Sequence, residues 1–430
     1  MSAAARRLNP IAVIGHIVSV QGGAILAQFP QASVGDLCWF KTRKQKTICG
    51  QIVAFQENLF SLALFEDPEG IYPGTPVRTH GTQLSVPVGQ ELMGRVVNPL
   101  GIPIDDVSRP LHRSIMRPVL SRPPNASMRP LIDQPLVTGV RAIDGFCTLG
   151  TGQRIGIFAS AGVGKSTLLA MIARRACVDV IVVALVGERS REVREFIDET
   201  LGAEGLARSV IVVATSDDSS LLRQTAPYTA TTIAEHFRDQ GKNVLLIVDS
   251  LTRMARAVRE TSLAAGDIPV RHGYTNSVYT QLPKLLERAG RSMQGSITAL
   301  YTVLTNQEED IDPLADEIKS LLDGHICLRH EIAALGVLPA IDITQSISRL
   351  FSRLNDAEHK KNAHILSHAT TRFLKERQIV LLGGVPDTEL SRIISHQQLL
   401  LGAVRQPFHA TSTLEETRTY MREACQVLAK

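Results

Sequence analysis

Aromatic residues are scarce in this chain of 430 residues, since Phe, Tyr and Trp together make up 4% of it and Trp39 is the only tryptophan. A protein that stacks bases on exposed rings needs more of them, which weighs against single-stranded nucleic-acid binding. The six cysteines form no Cys-x-x-Cys pair, which indicates buried, reduced thiols rather than disulfides. No stretch approaches the roughly 18 apolar residues that a membrane-spanning helix needs. We therefore expect a soluble cytoplasmic protein.

Apolar residues make up 44% of the chain and charged residues 20%, which is enough for a sizeable interior. This composition excludes a disordered, collagen-like or coiled-coil protein, and the length predicts two or three domains. The formal charge is +4, from 46 basic and 42 acidic residues that are mixed along the chain. Such a balance neither requires nor excludes a nucleic-acid partner.

Residues 11 to 80 contain six short apolar runs separated by turn-forming residues such as Gly22-Gly23 and Pro73-Gly74. Because closure removes the exposed edges of a small sheet, this pattern predicts a β-barrel. Residues 81 to 135 are rich in Pro and Gly. Between Val107 and Ile132 this segment has no acidic residue and carries five arginines: Arg109, Arg113, Arg117, Arg122 and Arg129. We expect an extended connector whose arginines pair with neighbouring carboxylates. Contact with a nucleic acid or a lipid surface is the alternative.

From residue 153 to residue 343, near-continuous apolar runs of strand length alternate with segments of helical spacing. Strands of that kind are buried on both faces, so the region predicts an α/β core with a mainly parallel sheet. After Ser346 the pattern is helical. The predicted domains are a barrel over 1–80, the core with its Pro-rich connector over 81–345, and a helical C-terminal domain over 346–430.

The strongest local motif is the run from Ala159 to Thr167, ASAGVGKST, which directly follows an apolar strand and precedes a helical run. A glycine-rich turn of this kind, a P-loop, wraps phosphate oxygens with backbone N–H groups, and the helix N-terminus adds a positive dipole. The motif predicts that Lys165 reaches the β- and γ-phosphates of a nucleotide and that Ser166 ligates Mg²⁺. Ala159 stands where the strict motif has Gly. An ordinary strand–helix turn is the alternative.

Two further strands end in carboxylates. Asp249 ends the run NVLLIVD, where it can hold the water shell of Mg²⁺ beside the P-loop. Glu188 ends DVIVVALVGE, at the strand edge where ligands bind in α/β sheets. It can polarise the water that attacks the γ-phosphate, or it can be an ordinary charge at the start of a solvated helix.

Five segments in this order resemble the catalytic subunits of rotary ATP synthases, and more closely the homohexameric ATPases of bacterial type III secretion. They are GVGKST, VGERSREVREF, LLIVDSLTRMARAVRE, DPLADEIKSLLDGHI and PAIDITQSISRL. The resemblance covers essentially the whole chain. The compact length and the form of the loop look more like an injectisome ATPase than a flagellar export ATPase.

The resemblance implies a role for each matching residue. Phosphate and Mg²⁺ contacts are expected from the loop residues Gly162, Val163, Gly164, Lys165, Ser166 and Thr167 and from Asp249. Glu188 is expected as the catalytic carboxylate, Arg189 near the γ-phosphate, and Arg349 as an arginine finger that reaches a neighbouring subunit. Since non-catalytic subunits of rotary ATPases carry Gln in place of Glu188, hydrolysis is expected.

The chain departs from the family pattern at two places. Leu338 stands where ATP synthase has an aromatic residue against adenine, so we expect apolar contact with the base, with Phe408 as the opposite wall. Leu328-Arg329-His330 replaces the more usual Leu-Ser-Arg.

The resemblance also implies ATP and Mg²⁺ as ligands and a homohexamer as the working form. Its expected partners are a stator protein, a central stalk, an export gate and chaperone–effector complexes, with peripheral contact to the inner membrane and no nucleic acid. Two other functions stay open at this point: an ATP-driven nucleic-acid translocase and a nucleotide-binding scaffold that does not hydrolyse.

Overall fold

A computed structural model of the chain describes residues 12–21, 24–106, 109–111, 114–305 and 312–429. Its N-terminal strands are β1 (Val13–Gln21), β2 (Ala24–Gln28), β3 (Asp36–Lys41), β4 (Thr47–Gln56), β5 (Leu59–Leu64) and β6 (Pro76–Gln83). They close into an antiparallel barrel in the order β1-β2-β5-β4-β3-β6. The predicted barrel is confirmed over these strands, while residues 1–11 lie outside the described part.

The interior of the barrel takes up most of its phenylalanines. Phe29, Phe40 and Phe60 are at most 6% exposed and pack against the inward-facing aliphatic residues of the strands. The basic turn between β3 and β4 is paired as well, since Lys44 lies 2.7 Å from Glu69 and Lys46 lies 2.5 Å from Glu66. These three rings therefore belong to the core of the barrel, and the two lysines form ion pairs within the barrel domain.

The connector contributes the strands β7 (Ser85–Val88), β8 (Arg95–Val97), β9 (Ile115–Pro118) and β10 (Pro135–Leu136). Two of its arginines bind the core as expected: Arg117 lies 2.8 Å from Asp239, and Arg129 lies 3.6 Å from Glu287. Arg122 is exposed, and Arg113 lies outside the described residues. Pairing with carboxylates is therefore confirmed for Arg117 and Arg129.

The remaining strands belong to the core. They are β11 (Leu149–Gly150), β12 (Arg154–Ala159), β13 (Val180–Glu188), β14 (Ser209–Thr215), β15 (Asn243–Asp249), β16 (Pro269–Arg271), β17 (Tyr274–Thr275), β18 (Gly290–Arg291), β19 (Ser296–Leu304), β20 (Gly324–Leu328) and β21 (Ile347–Ser348). The central sheet has the order β21-β20-β12-β19-β15-β13-β14-β8, with β18 also paired to β19. Its pairs are parallel except β20–β21 and β18–β19. The mainly parallel sheet that the apolar runs predicted is confirmed.

Helices cover both faces of this sheet. The core helices are α1 (Arg141–Phe146), α2 (Lys165–Arg175), α3 (Ser190–Glu195), α4 (Gly202–Ala207), α5 (Ser220–Asp239), α6 (Leu251–Ala264), α7 (Asn276–Leu286), α8 (Pro313–Leu321) and α9 (His330–Ala334). A π-helical turn, Phe196–Leu201, continues α3. Strand β13 is buried along almost its whole length, because apolar clusters lie on each side of the sheet.

The C-terminal part is helical, as predicted, with α10 (Phe351–Leu354), α11 (Ala357–Leu381), α12 (Thr388–Ser395), α13 (Gln397–Gly402) and α14 (Leu414–Ala429). Within the described ranges, none of the helices has the length and apolar character to cross a bilayer. Gln406 joins this part to the core, because its amide donates to the Gly139 carbonyl and accepts from the Arg141 N–H, both at 2.8 Å. The expected domain boundaries at residues 80 and 345 stay predictions.

Candidate active site

The P-loop is the turn that joins β12 to α2. Gly162 and Gly164 adopt the left-handed region, with φ of 81° and 95°. No neighbouring atom would lie within 4 Å of a Cβ at either position, so conformation and not space requires glycine there. Ala159 is still part of β12, and its extended backbone explains why the glycine of the strict motif is dispensable at that position.

The first turn of α2 carries the remaining residues of the motif. Lys165 begins the helix, Ser166 and Thr167 are exposed on it, and Val163 is buried beneath the turn. The first backbone N–H groups of a helix have no partner within the helix and lie at the positive end of its dipole. This geometry suits the binding of phosphate oxygens.

Three of the expected site residues lie close together at the edge formed by the carboxyl ends of the parallel strands. The Lys165 ammonium donates to Oδ1 of Asp249 and lies 3.8 Å from Oε1 of Glu188. Both carboxylates end parallel strands, β15 and β13, and both are at least 93% buried. A cation held between two buried carboxylates can exchange one of them for a phosphate at little cost in charge balance. The arrangement can therefore bind a phosphorylated ligand.

Arg253 is a member of the site that the sequence argument did not single out. Its guanidinium lies 2.5 Å from Oε1 of Glu188 and donates to the Gly187 carbonyl at 2.8 Å. The residue lies in the first turn of α6, four positions after Asp249. Its place in the segment LLIVDSLTRMARAVRE was the available signal.

Glu192 on α3 is the second unforeseen member. Burial, followed by a hydrogen bond with Glu192, raises the pKa of Glu188, and the same hydrogen bond lowers the pKa of Glu192. A hydrogen bond between two carboxyl groups requires one proton between them, so the two titrate as a pair. A carboxylate with a raised pKa is the stronger base, as activation of a water molecule requires.

Arg189 and Arg349 lie apart from this cluster. Arg189 follows Glu188 directly, but its side chain is 82% exposed and lies 3.7 Å from Glu192. Arg349 is exposed, and its backbone N–H donates to the Asp323 carbonyl at 3.0 Å. Its predecessor Ser348 pairs with Gly324 at the start of β20, whereas the P-loop follows the other end of these strands. About 13 Å of strand separates the two edges.

The two residues expected to contact adenine lie on adjacent segments. Leu338 is 56% exposed and follows α9, near the end of β20 that lies beside the P-loop strand. Phe408 packs under the guanidinium of Arg174, 5.1 Å from the ring centroid, at the far end of α2. Gln406 links the two segments through a hydrogen bond to the Leu338 carbonyl. Their role in base binding stays a prediction.

The unusual Leu328-Arg329-His330 segment lies at the carboxyl end of β20. Arg329 Nε is 3.3 Å from a carboxylate oxygen of Asp342, which is 5% exposed. The cation there balances a buried charge within the same subunit, which is a structural task.

Similarity to known proteins agrees with this geometry. Residues 139–348 match the ATP synthase alpha/beta family, nucleotide-binding domain, and residues 11–81 match its beta-barrel domain. The type 3 secretion system ATPase of Xanthomonas euvesicatoria is 44% identical over 423 residues, which cover 96% of this chain and 95% of that protein. The flagellum-specific ATP synthase of Treponema pallidum is 44% identical over 403 residues, or 91% and 88% of the two chains. The chain belongs to this family of secretion and flagellar ATPases.

A solved relative gives the same result for the fold. The assembled ATPase EscN from the type III secretion system of enteropathogenic E. coli superposes with a TM-score of 0.90 at 41% identity, covering 95% of this chain and 99% of that one. EscN in complex with its central stalk EscO superposes with a TM-score of 0.87. The expected fold class, the family resemblance and the ATPase activity are confirmed, which removes the non-hydrolysing scaffold as a rival. The roles assigned to single residues stay predictions.

Proposed function

We propose that this ATPase hydrolyses Mg²⁺–ATP in a homohexameric ring and that the ring powers protein export through an injectisome. The observation that carries the proposal is the convergence of Lys165, at the start of α2, with Glu188 and Asp249, which end two parallel strands, beside a turn whose glycines adopt the left-handed region. The known family activity supports the reaction, and the chain's own residues supply each part of it.

The residues present fit a magnesium nucleotide. The Ser166 hydroxyl and the Asp249 carboxylate are hard oxygen groups of the kind that Mg²⁺ prefers. In the described part of the chain, Oδ2 of Asp249 accepts no hydrogen bond, so that oxygen is free to act toward a metal or its water shell. When bound, Mg²⁺ neutralises charge on the β- and γ-phosphates.

Each residue then has a distinct task in the reaction. Lys165 leaves Asp249 for the β- and γ-phosphate oxygens, and the N–H groups of the P-loop hold the remaining oxygens. Glu188, with its raised pKa, accepts a hydrogen bond from the attacking water and polarises it. Arg253 holds that carboxylate in place through the 2.5 Å contact.

The position of Arg349 supports a ring. Its backbone lies at the opposite edge of the sheet from its own P-loop, and its side chain is exposed. In a ring, such a guanidinium can reach the nucleotide of the adjacent subunit and stabilise the charge that spreads over the γ-phosphoryl oxygens. The solved structures of assembled EscN and of EscN with its central stalk EscO give precedents for an assembly and for a stalk contact.

Partners follow from the same proposal. The central stalk lies in the ring, and the stator protein binds the N-terminal barrels. Chaperone–effector complexes and the export gate contact the helical C-terminal part. Leu382 and Val385, between α11 and α12, are 89% and 95% exposed, and apolar side chains left in water in this way favour contact with a protein partner. The ATPase then works at the cytoplasmic face of the inner membrane.

The first test is steady-state phosphate release by Lys165→Ala. Loss of the ammonium removes the compensation of phosphate charge while the sheet stays intact, so turnover should fall at least about 100-fold. Lys361→Ala, an exposed lysine on α11, is the matched control and should retain wild-type turnover. A Lys165→Ala variant with near wild-type turnover would contradict the assignment of the site.

Flagellar export is the second candidate, since relatives of both kinds match this chain at 44% identity. A deletion strain separates the two functions. We expect it to lose secretion of effector proteins and to stay motile. A strain that loses motility and secretes normally would assign the ATPase to the flagellum.

A further inference from the structure

Strand β19 lies between the P-loop strand β12 and the Asp249 strand β15. It pairs in parallel with both, and Thr302 lies opposite Ile157 of β12 at the level of the site. A side chain near this end of β19 can therefore reach either neighbour. Thr302 is completely buried, and most of its strand neighbours are apolar.

The Thr302 hydroxyl donates to Oδ1 of Asp249 at 2.7 Å, while its distance to the Val248 carbonyl is 3.4 Å. A hydroxyl has one proton, and the shorter bond to a charged acceptor is the stronger of the two. Oδ1 is also the oxygen that the Lys165 ammonium contacts. Two donors thus share one oxygen and leave Oδ2 without a hydrogen bond from the described residues.

We propose that Thr302 is a positioning residue that holds Asp249 toward Mg²⁺ when Lys165 moves to the phosphates. The inference rests on the proposed function, in which Lys165 exchanges Asp249 for the nucleotide. After that exchange, Thr302 is the remaining side-chain donor to Asp249 among the described residues. Its hydrogen bond then holds Oδ1 of Asp249 in place, so that Oδ2 stays directed toward Mg²⁺.

A purely structural role predicts a different result. If Thr302 only filled space, valine, which has the same shape, would replace it without loss. If it mattered only for stability, the loss would not depend on Mg²⁺ or on the presence of Asp249. Thr298 gives the matched comparison: it lies on the same strand and face, is 1% exposed, and accepts from the Gly152 N–H at 2.8 Å, away from the site.

The experiment measures binding of a fluorescent ATP analogue to the full chain with and without Mg²⁺. Thr302→Val should weaken binding about 10-fold in Mg²⁺ and leave Mg²⁺-free binding unchanged, since a hydrogen bond to a charged group is lost. Thr302→Ser should restore the wild-type value, and Thr298→Val should bind like wild type. In an Asp249→Ala background, Thr302→Val should have no further effect, because its target is gone.

Three results would contradict the proposed role of Thr302. Wild-type Mg²⁺ dependence in Thr302→Val, equal loss in Thr302→Val and Thr298→Val, or a full effect in the Asp249→Ala background would each overturn the proposal. If circular dichroism shows that Thr302→Val is unfolded, Thr302→Ala takes its place. Thr302→Ala should then lose Mg²⁺-dependent binding of the analogue while Thr302→Ser keeps it, and equal binding by the two variants would overturn the proposal. Wild-type binding by Lys165→Ala would instead overturn the proposed function, and this outcome is separate because Thr302 is unchanged in that variant.

Discussion

Lys165 and Glu188 lie 3.8 Å apart although they follow strands that are not neighbours in the sheet. Strands β19 and β15 separate β12 from β13, which places the two backbones far apart. The long lysine side chain closes this gap across the end of β15. The pair therefore forms only when all four strands are in the correct order and register.

Replacing Glu188 by Gln should separate binding from hydrolysis. The amide keeps the size of the carboxylate but cannot act as a base, so phosphate release should fall at least about 100-fold while the affinity for ATP stays within a few-fold of wild type. Single-turnover hydrolysis and a binding titration measure the two quantities. Glu195→Gln is the control, since Glu195 binds Arg191 on the exposed side of α3 at 3.0 Å. Parallel losses of binding and turnover would assign Glu188 to the nucleotide and not to water.

Glu192→Gln should shift the acidic limb of the pH–rate profile. The pKa of Glu188 is raised by burial and by its hydrogen bond with Glu192, and activity needs the ionised form. Turnover of the wild type therefore falls as the pH drops through this raised pKa. Without the second carboxyl group the pKa of Glu188 decreases, so the limb should move to lower pH. A profile of kcat/KM against pH for both proteins tests this, and an unchanged limb would remove Glu192 from the titrating pair.

Arg349→Ala should assemble and bind ATP but hydrolyse it poorly. Arginine fingers contribute about 10³–10⁵-fold to the rate in related chemistry, so a loss in that range is expected. Mixing this variant with Lys165→Ala should restore part of the activity, because a mixed interface combines an intact P-loop with an intact Arg349. Turnover is measured against mixing ratio. Arg353→Ala, on the short helix α10, is the matched control. No rescue at any ratio, with turnover independent of protein concentration, would place Arg349 in a structural role.

His359 should make the stability of the ATPase fall below about pH 6.5, the usual pKa of histidine in an unfolded chain. Its Nε2–H donates to the Gly145 carbonyl at 2.8 Å, and its Nδ1 accepts from Arg418 at 3.1 Å. Burial, together with the nearby Arg418 cation, lowers the pKa of His359. Above pH 6.5 the ring is neutral in both states. Below it the unfolded chain takes up a proton that the folded chain resists, so the free energy of unfolding decreases.

The matched variant for this prediction is His359→Gln, whose amide can also donate to Gly145 and accept from Arg418. At pH 8 its free energy of unfolding should lie within about 1 kcal/mol of wild type. Denaturant titrations between pH 5 and 8 should show a weaker decrease for His359→Gln than for wild type. Identical pH dependence in the two proteins would mean that His359 titrates as it does in the unfolded chain.

Local patterns were enough to predict the barrel, the parallel core, the P-loop and the two carboxylates that end strands. The individual strands and motifs behind these predictions are short runs of consecutive residues, as the apolar run before Asp249 illustrates. Arg253, Glu192 and Thr302 were missed because their importance depends on contacts between elements that are distant in sequence. The Thr302 hydroxyl, for example, meets Asp249 only because β19 inserts between β12 and β15.

The short strands β8, β18, β20 and β21 of the central sheet were missed for a simpler reason, which two of them illustrate. β8 (Arg95–Val97) has three residues and β20 (Gly324–Leu328) has five, with a histidine and a cysteine in place of a pure aliphatic run. Segments this short carry little periodicity. Pairing with longer strands stabilises them: β8 follows the register of β14, and β20 follows that of β12. Tertiary context therefore decides where the sheet ends.

The short segment from Gly139 to Thr148 joins the core to the helical C-terminal part. The helical part is hydrogen-bonded to this segment through Gln406, His359 and Asn355. The Asn355 amide donates to Thr148 Oγ1 at 2.9 Å. The P-loop strand β12 begins at Arg154, six residues after Thr148. A force applied to α11 or α14 must therefore break these buried bonds or pull on the base of the P-loop strand. These hydrogen bonds therefore couple the position of the C-terminal helices to the strand that leads into the P-loop.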